Sequence, residues 1–351
     1  MVVVGTDVHK RTHTFVAVDD VGRRLGEKVV AATTVGHQKV IRWARSEFGT
    51  DLTWGIEDCR QMSARLERDL LSAGQHVVRV PAKLMAQVRA SARTRGKSDP
   101  IDALAVARAV LREPDLPVAS HDERSRELKL LVDRREDLVK IRTAMINRLR
   151  WHLHELEPGR EPKPQTLDCR KHRTAIREWL TTQTGLVAEL TLDELTDIDR
   201  LTEQINTLAR RIEKASAAIA PALLELPGCG ALTAAKIVGE TAGIQRFRTE
   251  AAYARHTGVA PIPVWSGSTN GRVRMTRTGN RQLNCALHRI AITQIRMPDS
   301  RGQIYYRKRL AAGDTKREAL RCLKRRLART VFNTLRTDAK AAPDTALPTA
   351  A

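Results

Sequence analysis

The chain opens on an apolar run, Val2-Val3-Val4, that closes on Gly5-Thr6-Asp7-Val8-His9. A short β-branched run of this kind predicts a buried central strand that carries Asp7 to one end of a sheet. Thr14-Phe15-Val16-Ala17-Val18 predicts a second strand, the turn Asp19-Asp20-Val21-Gly22 follows, and a third strand lies near residues 25–31. These three form an antiparallel meander. Residues 34–48 place Val40, Ile41 and Ala44 on one helical face. Leu52-Thr53-Trp54-Gly55-Ile56-Glu57 is another strand that ends in an acid. A helix over residues 63–73, stopped at Gly74, and a strand over 76–80, closed by Pro81, complete the order β-β-β-α-β-α-β. That order is a mixed sheet with helices packed on it.

The pattern then turns helical. Residues 89–98 are a basic polar loop containing Arg93, Arg95 and Lys97, and a helix begins at Ser98 or Asp99 with Pro100 in its first turn. Residues 121–157 read as a heavily charged helix on which Ile141, Met145, Leu149 and Leu153 recur every four positions. Pro158, Gly159, Pro162 and Pro164 break it. Ile198, Leu201, Ile205, Leu208, Ile212, Ala215 and Ile219 then keep a 3/4 spacing, which fits either a coiled coil or one helix of a small bundle. Such an arm can pair within the chain or between subunits. After Pro221, Leu226-Pro227-Gly228-Cys229-Gly230 is a tight turn opening a helix. It is either a helix-hairpin-helix type of turn, whose free N–H groups around Gly228 and Gly230 suit a phosphate, or a plain turn between helices. Residues 257–281 form a Gly/Ser-rich loop carrying Arg272, Arg274, Arg277 and Arg281. A helix over 282–295 and a basic helical region over 300–335 follow, and the end has the composition of a disordered tail. The predicted organisation is a sheet domain over 1–120, a helical coiled-coil arm over 121–220, a mainly α domain over 221–337 and a tail over 338–351.

Charge narrows the partners. A formal net charge of +21 over 351 residues repels itself unless a polyanion is present, and nucleic acid is the first candidate. No run of about 18 apolar residues exists to make a membrane span, and no signal peptide precedes the first strand, so a cytoplasmic, nucleoid-associated protein is expected. Aromatic residues are only 3% of the chain, which favours Arg and Lys contacts to the backbone over base stacking. Cys59, Cys169, Cys229, Cys285 and Cys322 are scattered without metal-ligand or disulfide spacing, and each is expected to be a small buried apolar residue.

Four acids stand apart from this basic background: Asp7 and Glu57 at strand ends, Asp99 and Asp102 three apart at a helix start. Taken singly, each has an ordinary use as a turn or helix cap. Taken together they point elsewhere. In the β-β-β-α-β-α-β order the first and fourth strands can lie side by side, so their acids share an edge and the later helix can cross them. Clustered carboxylates repel, and a divalent metal relieves this without protonation. Hard oxygen ligands select Mg²⁺, with Mn²⁺ the alternative, and two such ions would clamp a phosphodiester during displacement.

Gly5-Thr6-Asp7-Val8-His9-Lys10, Trp54-Gly55-Ile56-Glu57 and Lys97-Ser98-Asp99-Pro100-Ile101-Asp102-Ala103 resemble the Asp-Glu-Asp-Asp transposases of bacterial insertion sequences. Leu226-Pro227-Gly228-Cys229-Gly230 resembles the start of that family's C-terminal domain, and residues 258–283, with Ser266-Gly267 and Thr278-Gly279-Asn280-Arg281, resemble its signature. The resemblance implies a RuvC-like, ribonuclease-H-like N-terminal domain with Asp7, Glu57, Asp99 and Asp102 as metal-binding tetrad. It implies a DNA recombinase guided by a bridge RNA encoded by the element, acting on donor and target double-stranded DNA. It also implies a serine nucleophile in the C-terminal domain, which maps to Ser266, with Ser268 two positions on as the competing hydroxyl. A homodimer, or a tetramer built of two dimers, would bring two DNA partners together. Two other readings stand beside this one: a metal-dependent nuclease or junction resolvase in which water attacks, and a non-catalytic nucleic-acid-binding protein whose acids are caps.

Overall fold

The structure is a computed structural model and describes residues 1–57, 62–81, 84–85, 98–113, 116–119, 122–163, 165–271, 273–275 and 279–341. Arg93, Arg95, Lys97, Arg272, Arg277 and Cys59 lie outside the described residues, as does most of the predicted tail. The chain divides into two compact units, residues 1–122 with 245–252, and residues 123–244 with 253–351.

The first unit is built on five strands: β1 (Val2–Val8), β2 (Thr12–Val18), β3 (Arg24–Ala31), β4 (Leu52–Glu57) and β5 (His76–Val80). They lie in the order β3-β2-β1-β4-β5. β1 is antiparallel to β2 and parallel to β4, β2 is antiparallel to β3, and β4 is parallel to β5. This is the ribonuclease-H-like, RuvC-like sheet that the sequence predicts. Alternation decides which side chains go to which face. Val4 and Val8 join Phe15, Ala17, Trp54 and Ile56 in a core closed by α1 (Thr34–Phe48) and α2 (Ala64–Ser72). Trp54 is fully buried, and its indole N–H donates to Gln75 Oε1 at 2.9 Å, so no donor is stranded there. Val3, Val16 and Val18 point the other way, onto Ala103 and Ala107 of α3 (Asp99–Arg112).

The second unit is mainly helical. Its two longest helices, α4 (Glu123–Leu156) and α6 (Leu186–Ile219), have 34 residues each, about 50 Å of helix. They pair within the chain. Leu149, Leu153, Leu195 and Ile198 form one buried cluster with Leu180 of α5 (Arg170–Leu180), and Leu138, Leu201 and Ile205 form another. Ile141 departs from the expected face and is exposed. A spacing of four drifts about 40° per step on a 3.6-residue helix, so Ile141 sits about 120° around from Leu153.

Short α7 (Pro221–Leu224) leads to α8 (Ala231–Thr241), and Asp338 accepts from the N–H groups of Ala222 and Leu223 at 2.9 and 3.3 Å. Then come α9 (Glu250–His256), strands β6 (Pro261–Pro263) and β7 (Val273–Met275), α10 (Arg281–Arg296), α11 (Arg301–Ala311) and α12 (Lys316–Ala341). Two corrections follow. The loop over 257–281 contains an antiparallel pair of strands, and the last helix runs to Ala341, past the start of the segment predicted as tail. Apolar positions Leu327, Val331, Phe332 and Leu335 keep that helix packed, which the basic composition obscures. The cysteine expectation also fails in part: Cys229 is buried, but Cys169 and Cys285 are exposed. Cys169 precedes the first turn of α5, and Cys285 faces solvent between buried Leu283 and Ala286. Among the described residues no helix is long and apolar enough to cross a membrane.

Candidate active site

The parallel register of β1 and β4 pairs Gly5 with Gly55 and Thr6 with Ile56. The next residue of each strand is an acid, so Asp7 and Glu57 end their strands at the same edge. Asp7 also pairs with Thr14 of β2, and Glu57 with Val80 of β5.

The paired glycines decide how the other two acids arrive. A Cβ on Gly5 would lie 2.1 Å from the Ala103 carbonyl oxygen and 2.4 Å from the Ala107 nitrogen. One on Gly55 would lie 2.7 Å from Val110 Cγ2 and 3.0 Å from Val106 Cγ1. Two adjacent glycines therefore make a flat seat for α3, whose backbone rests on Gly5 and whose Val106 and Val110 side chains rest on Gly55. Gly5 and Asp7 share a face, as do Gly55 and Glu57, so the helix crosses on the side to which both acids belong. Its first turn carries Asp99 and Asp102, with Ser98 at the N-cap and Pro100 in that turn. The helix dipole favours acids there. Asp102 is buried and Asp99 is exposed.

His9 meets two of these acids. His9 Nε2 lies 2.9 Å from Asp7 Oδ2 and 3.2 Å from Asp99 Oδ1. The three residues place ligand atoms within 4.8 Å of one another. Burial raises the Asp7 pKa and the charges on Asp102 and Asp99 add to the rise, against the pull of His9. Slight burial works to lower the His9 pKa, but attraction to Asp7 and Asp99 outweighs it and the net shift is upward. A histidine between two carboxylates, with hard oxygen donors around it, forms a set suited to a divalent metal. The sequence expectation included Asp7 and Asp99 and missed His9. Its signal was the Asp-x-His spacing, which puts two side chains on one face of an extended strand.

Behind His9 lies a buried column. His9 N–H donates to Thr12 O at 3.1 Å and to His13 Nδ1 at 3.3 Å. His13 stacks on His37 with ring centroids 5.2 Å apart, and His37 Nδ1 is 2.6 Å from Asp69 Oδ2. Burial, with the neighbouring His37 charge, pushes His13 down to about 4. It is neutral at pH 7 and free to accept from the His9 backbone.

Ser266 belongs to the second unit. It and Ser268 are exposed between β6 and β7, beside Gly267, whose φ is +48°. The motif residues around them are internal clasps. A Cβ on Gly279 would lie 2.2 Å from Gly258 Cα, so the two ends of the segment touch backbone to backbone. Asn280 caps α10 by accepting from Gln282 and Leu283 N–H, and its Nδ2 donates to Glu240 Oε2 at 2.6 Å. Glu240 also receives Lys129 Nζ at 2.5 Å. Asn284 Nδ2 donates to the carbonyls of Thr257 and Gly258, each at 3.1 Å. Arg274 and Arg281 are exposed. Gly228 has φ +82° and packs on Ile290 and Thr293 of α10, whereas Gly230, at the start of α8, faces open space.

Residues 4–158 match a DEDD transposase model of IS110 type, and residues 220–307 match the transposase model of the IS116/IS110/IS902 family. The chain is 25% identical to an uncharacterized 42 kDa protein of insertion element IS900 from Mycobacterium paratuberculosis, over 97% of either chain. It is 26% identical to an uncharacterized 44.8 kDa protein of IS116 from Streptomyces clavuligerus, over 95% of this chain and 94% of the relative. RuvC of T. thermophilus in complex with a Holliday junction substrate covers 32% of this chain and 95% of its own, at 16% identity and TM-score 0.25. The T. thermophilus RuvC structure covers 33% and 98%, at 18% identity and TM-score 0.27. With the two models matched in order, and with relatives spanning nearly the whole length, the chain carries the transposase domains of the IS110 and IS116/IS110/IS902 type.

Proposed function

We propose that this transposase cuts and rejoins double-stranded DNA through a divalent-metal centre held by Asp7, Glu57, Asp99 and Asp102, with Ser266 as the attacking hydroxyl. The observation that carries this is the glycine seat: Gly5 and Gly55 let α3 bring its first-turn acids to the edge where Asp7 and Glu57 end. Carboxylates gathered this way repel, and burial, with the charges on Asp102 and Asp99 added, already raises the Asp7 pKa. A bound Mg²⁺ would relieve that repulsion, polarise the phosphodiester and lower the pKa of a coordinated hydroxyl. Asp7 and Glu57 would hold it from the strands, Asp99 and Asp102 from the helix.

The serine reading rests on the family motif and on exposure. Ser266 would attack the phosphorus, lose its proton as the new ester forms, and release the 3′- or 5′-oxygen of the cut strand. Protein and DNA are then joined until the strand is passed on. Arg274 and Arg281, with Arg272, Arg277, Arg93, Arg95 and Lys97, would hold phosphates, and each removed should reduce the salt slope of binding by about one. The α7–α8 turn at Gly228 and Gly230 would add backbone contacts. A bridge RNA encoded by the element would choose the sites, in an assembly of two or four chains whose domains follow the limits 1–120, 121–220 and 221–337.

The experiment is strand transfer in vitro, with purified protein, its co-purifying RNA and DNA carrying the element ends. Asp7→Asn and Glu57→Gln should each lower transfer by at least about a hundredfold in Mg²⁺. Ser266→Ala should abolish a covalent protein–DNA adduct that Ser268→Ala leaves intact. Full activity in both acid variants ends the metal reading, and strand transfer surviving the double serine variant points to water as nucleophile. If no specific RNA co-purifies, guidance by RNA is wrong.

A further inference from the structure

Among the described residues at the acidic edge, His9 is a side chain that the transposase reading leaves without a task. It is about half exposed, so it fills no core, yet its ring nitrogen meets carboxylates from two different elements. We propose that His9 is a nitrogen ligand of the metal held by Asp7 and Asp99, and that it tilts the site toward Mn²⁺ over Mg²⁺. The inference rests on the metal reading above and adds a donor to it.

Distances carry the argument. Neighbouring ligands in an octahedral shell of radius about 2.1 Å stand about 3.0 Å apart, by the right angle between them. His9 Nε2 is 2.9 Å from Asp7 Oδ2 and 3.2 Å from Asp99 Oδ1. Both separations suit adjacent corners of one coordination shell. The third, between the two carboxylates, is within 4.8 Å, which allows adjacent or opposite corners.

The second support is the ring's foundation. The His9 backbone N–H is shared between Thr12 O and His13 Nδ1, and His13 is only 1% exposed. His13 in turn stacks on His37, which is 0% exposed and tied to Asp69. A half-exposed histidine at a strand end ordinarily wanders among rotamers. Here the backbone beneath it is clamped to a buried column, which is how a ligand is held ready.

The donor set then sets the preference. Mg²⁺ takes oxygen ligands and keeps its waters, whereas imidazole raises affinity for the transition metals. The carboxylates of Asp7 and Asp99 keep the site hard enough for Mg²⁺, while the one imidazole favours Mn²⁺.

Pulsed EPR of the full chain loaded with Mn²⁺ tests this without any turnover. Wild type should show ¹⁴N modulation from a directly bound imidazole. His9→Ala should lose that signal, bind Mn²⁺ about tenfold more weakly, and change Mg²⁺ affinity less than about threefold. His13→Gln should keep the nitrogen signal, which separates the ligand from its support. His9→Asn, with an oxygen donor of similar reach, should restore binding but no nitrogen signal, and its melting curve checks the fold. Mn²⁺ bound in wild type without ¹⁴N modulation overturns the proposal and leaves the acidic centre standing. Failure of Mn²⁺ to bind wild type, or binding unmoved by Asp7→Asn, overturns the metal reading and this proposal with it.

Discussion

Two glycine pairs, one in each unit, use the same packing device and leave different things behind. Gly5 and Gly55 let a helix backbone rest on the sheet, and Gly258 and Gly279 let two loop backbones touch. At the sheet, burial of Asp7 beside like charges raises its pKa, and a histidine stands between carboxylates. In the helical unit the approach is quiet. Asn280, Asn284, Glu240 and Lys129 satisfy one another and the nearby carbonyls, while Ser266 stands exposed in the segment so anchored. The first arrangement announces its chemistry in its own electrostatics. The second anchors a hydroxyl and says nothing of what it attacks.

The largest break in this comparison should come from Gly5→Ala. The new Cβ meets the Ala103 carbonyl and the Ala107 nitrogen, both backbone, so the helix must move. We expect a loss of about 4 kcal/mol in chemical denaturation, with Mn²⁺ binding lost in whatever folds. Gly55→Ala should cost about 1–2 kcal/mol, because its neighbours are the side chains of Val110 and Val106, which can turn aside. Equal losses for the two would mean that α3 does not rest on Gly5. Next is Gly279→Ala, whose Cβ would meet Gly258 Cα. About 3 kcal/mol is expected, with Mn²⁺ affinity unchanged if the acidic edge is independent of the clasp.

Much of the sheet edge was legible because its signals are local and periodic. Short β-branched runs marked the strands, and an acid after each of two such runs marked the edge. The glycine seat was not legible. Nothing near Gly5 in the sequence shows that a backbone nearly a hundred positions away will lie on it. His9 was readable by its period-two relation to Asp7, but Asp99, which gives it meaning, is ninety positions on. The clasp around Asn280 was hidden for the same reason, since Lys129 and Glu240 lie far from it and from each other. Ser266 gained nothing from the geometry, and its role still rests on the motif.

A pH titration sharpens the contrast between the units. His13 folds as a neutral group with its pKa pushed down to about 4, against about 6.5 in the unfolded chain. Stability from this group is complete above pH 6.5, falls as pH drops toward 4, and levels off below. The loss reaches about 3 kcal/mol across that window. Melting followed by near-ultraviolet dichroism between pH 7 and 4 should show it, and His13→Phe should flatten much of the slope. A slope unaltered by His13→Phe would assign the acid sensitivity to other groups.

The smallest effect is the most informative about the clasp. Asn280→Ala removes the cap that accepts from Gln282 and Leu283 N–H, which costs about 1 kcal/mol. It also takes one donor from Glu240, a buried carboxylate that keeps Lys129, at about 1 kcal/mol more. Asn280→Ser keeps a capping oxygen and loses the donor to Glu240, so it should recover about half of the roughly 2 kcal/mol. The decisive readout is where the damage stops. If the clasp only anchors the Ser266 segment, hydrogen exchange should quicken around 257–281 while Mn²⁺ affinity at Asp7 and Asp99 stays within about twofold of wild type. A matching fall in metal affinity would mean that the two glycine seats are coupled, and that the quiet arrangement helps to set the charged one.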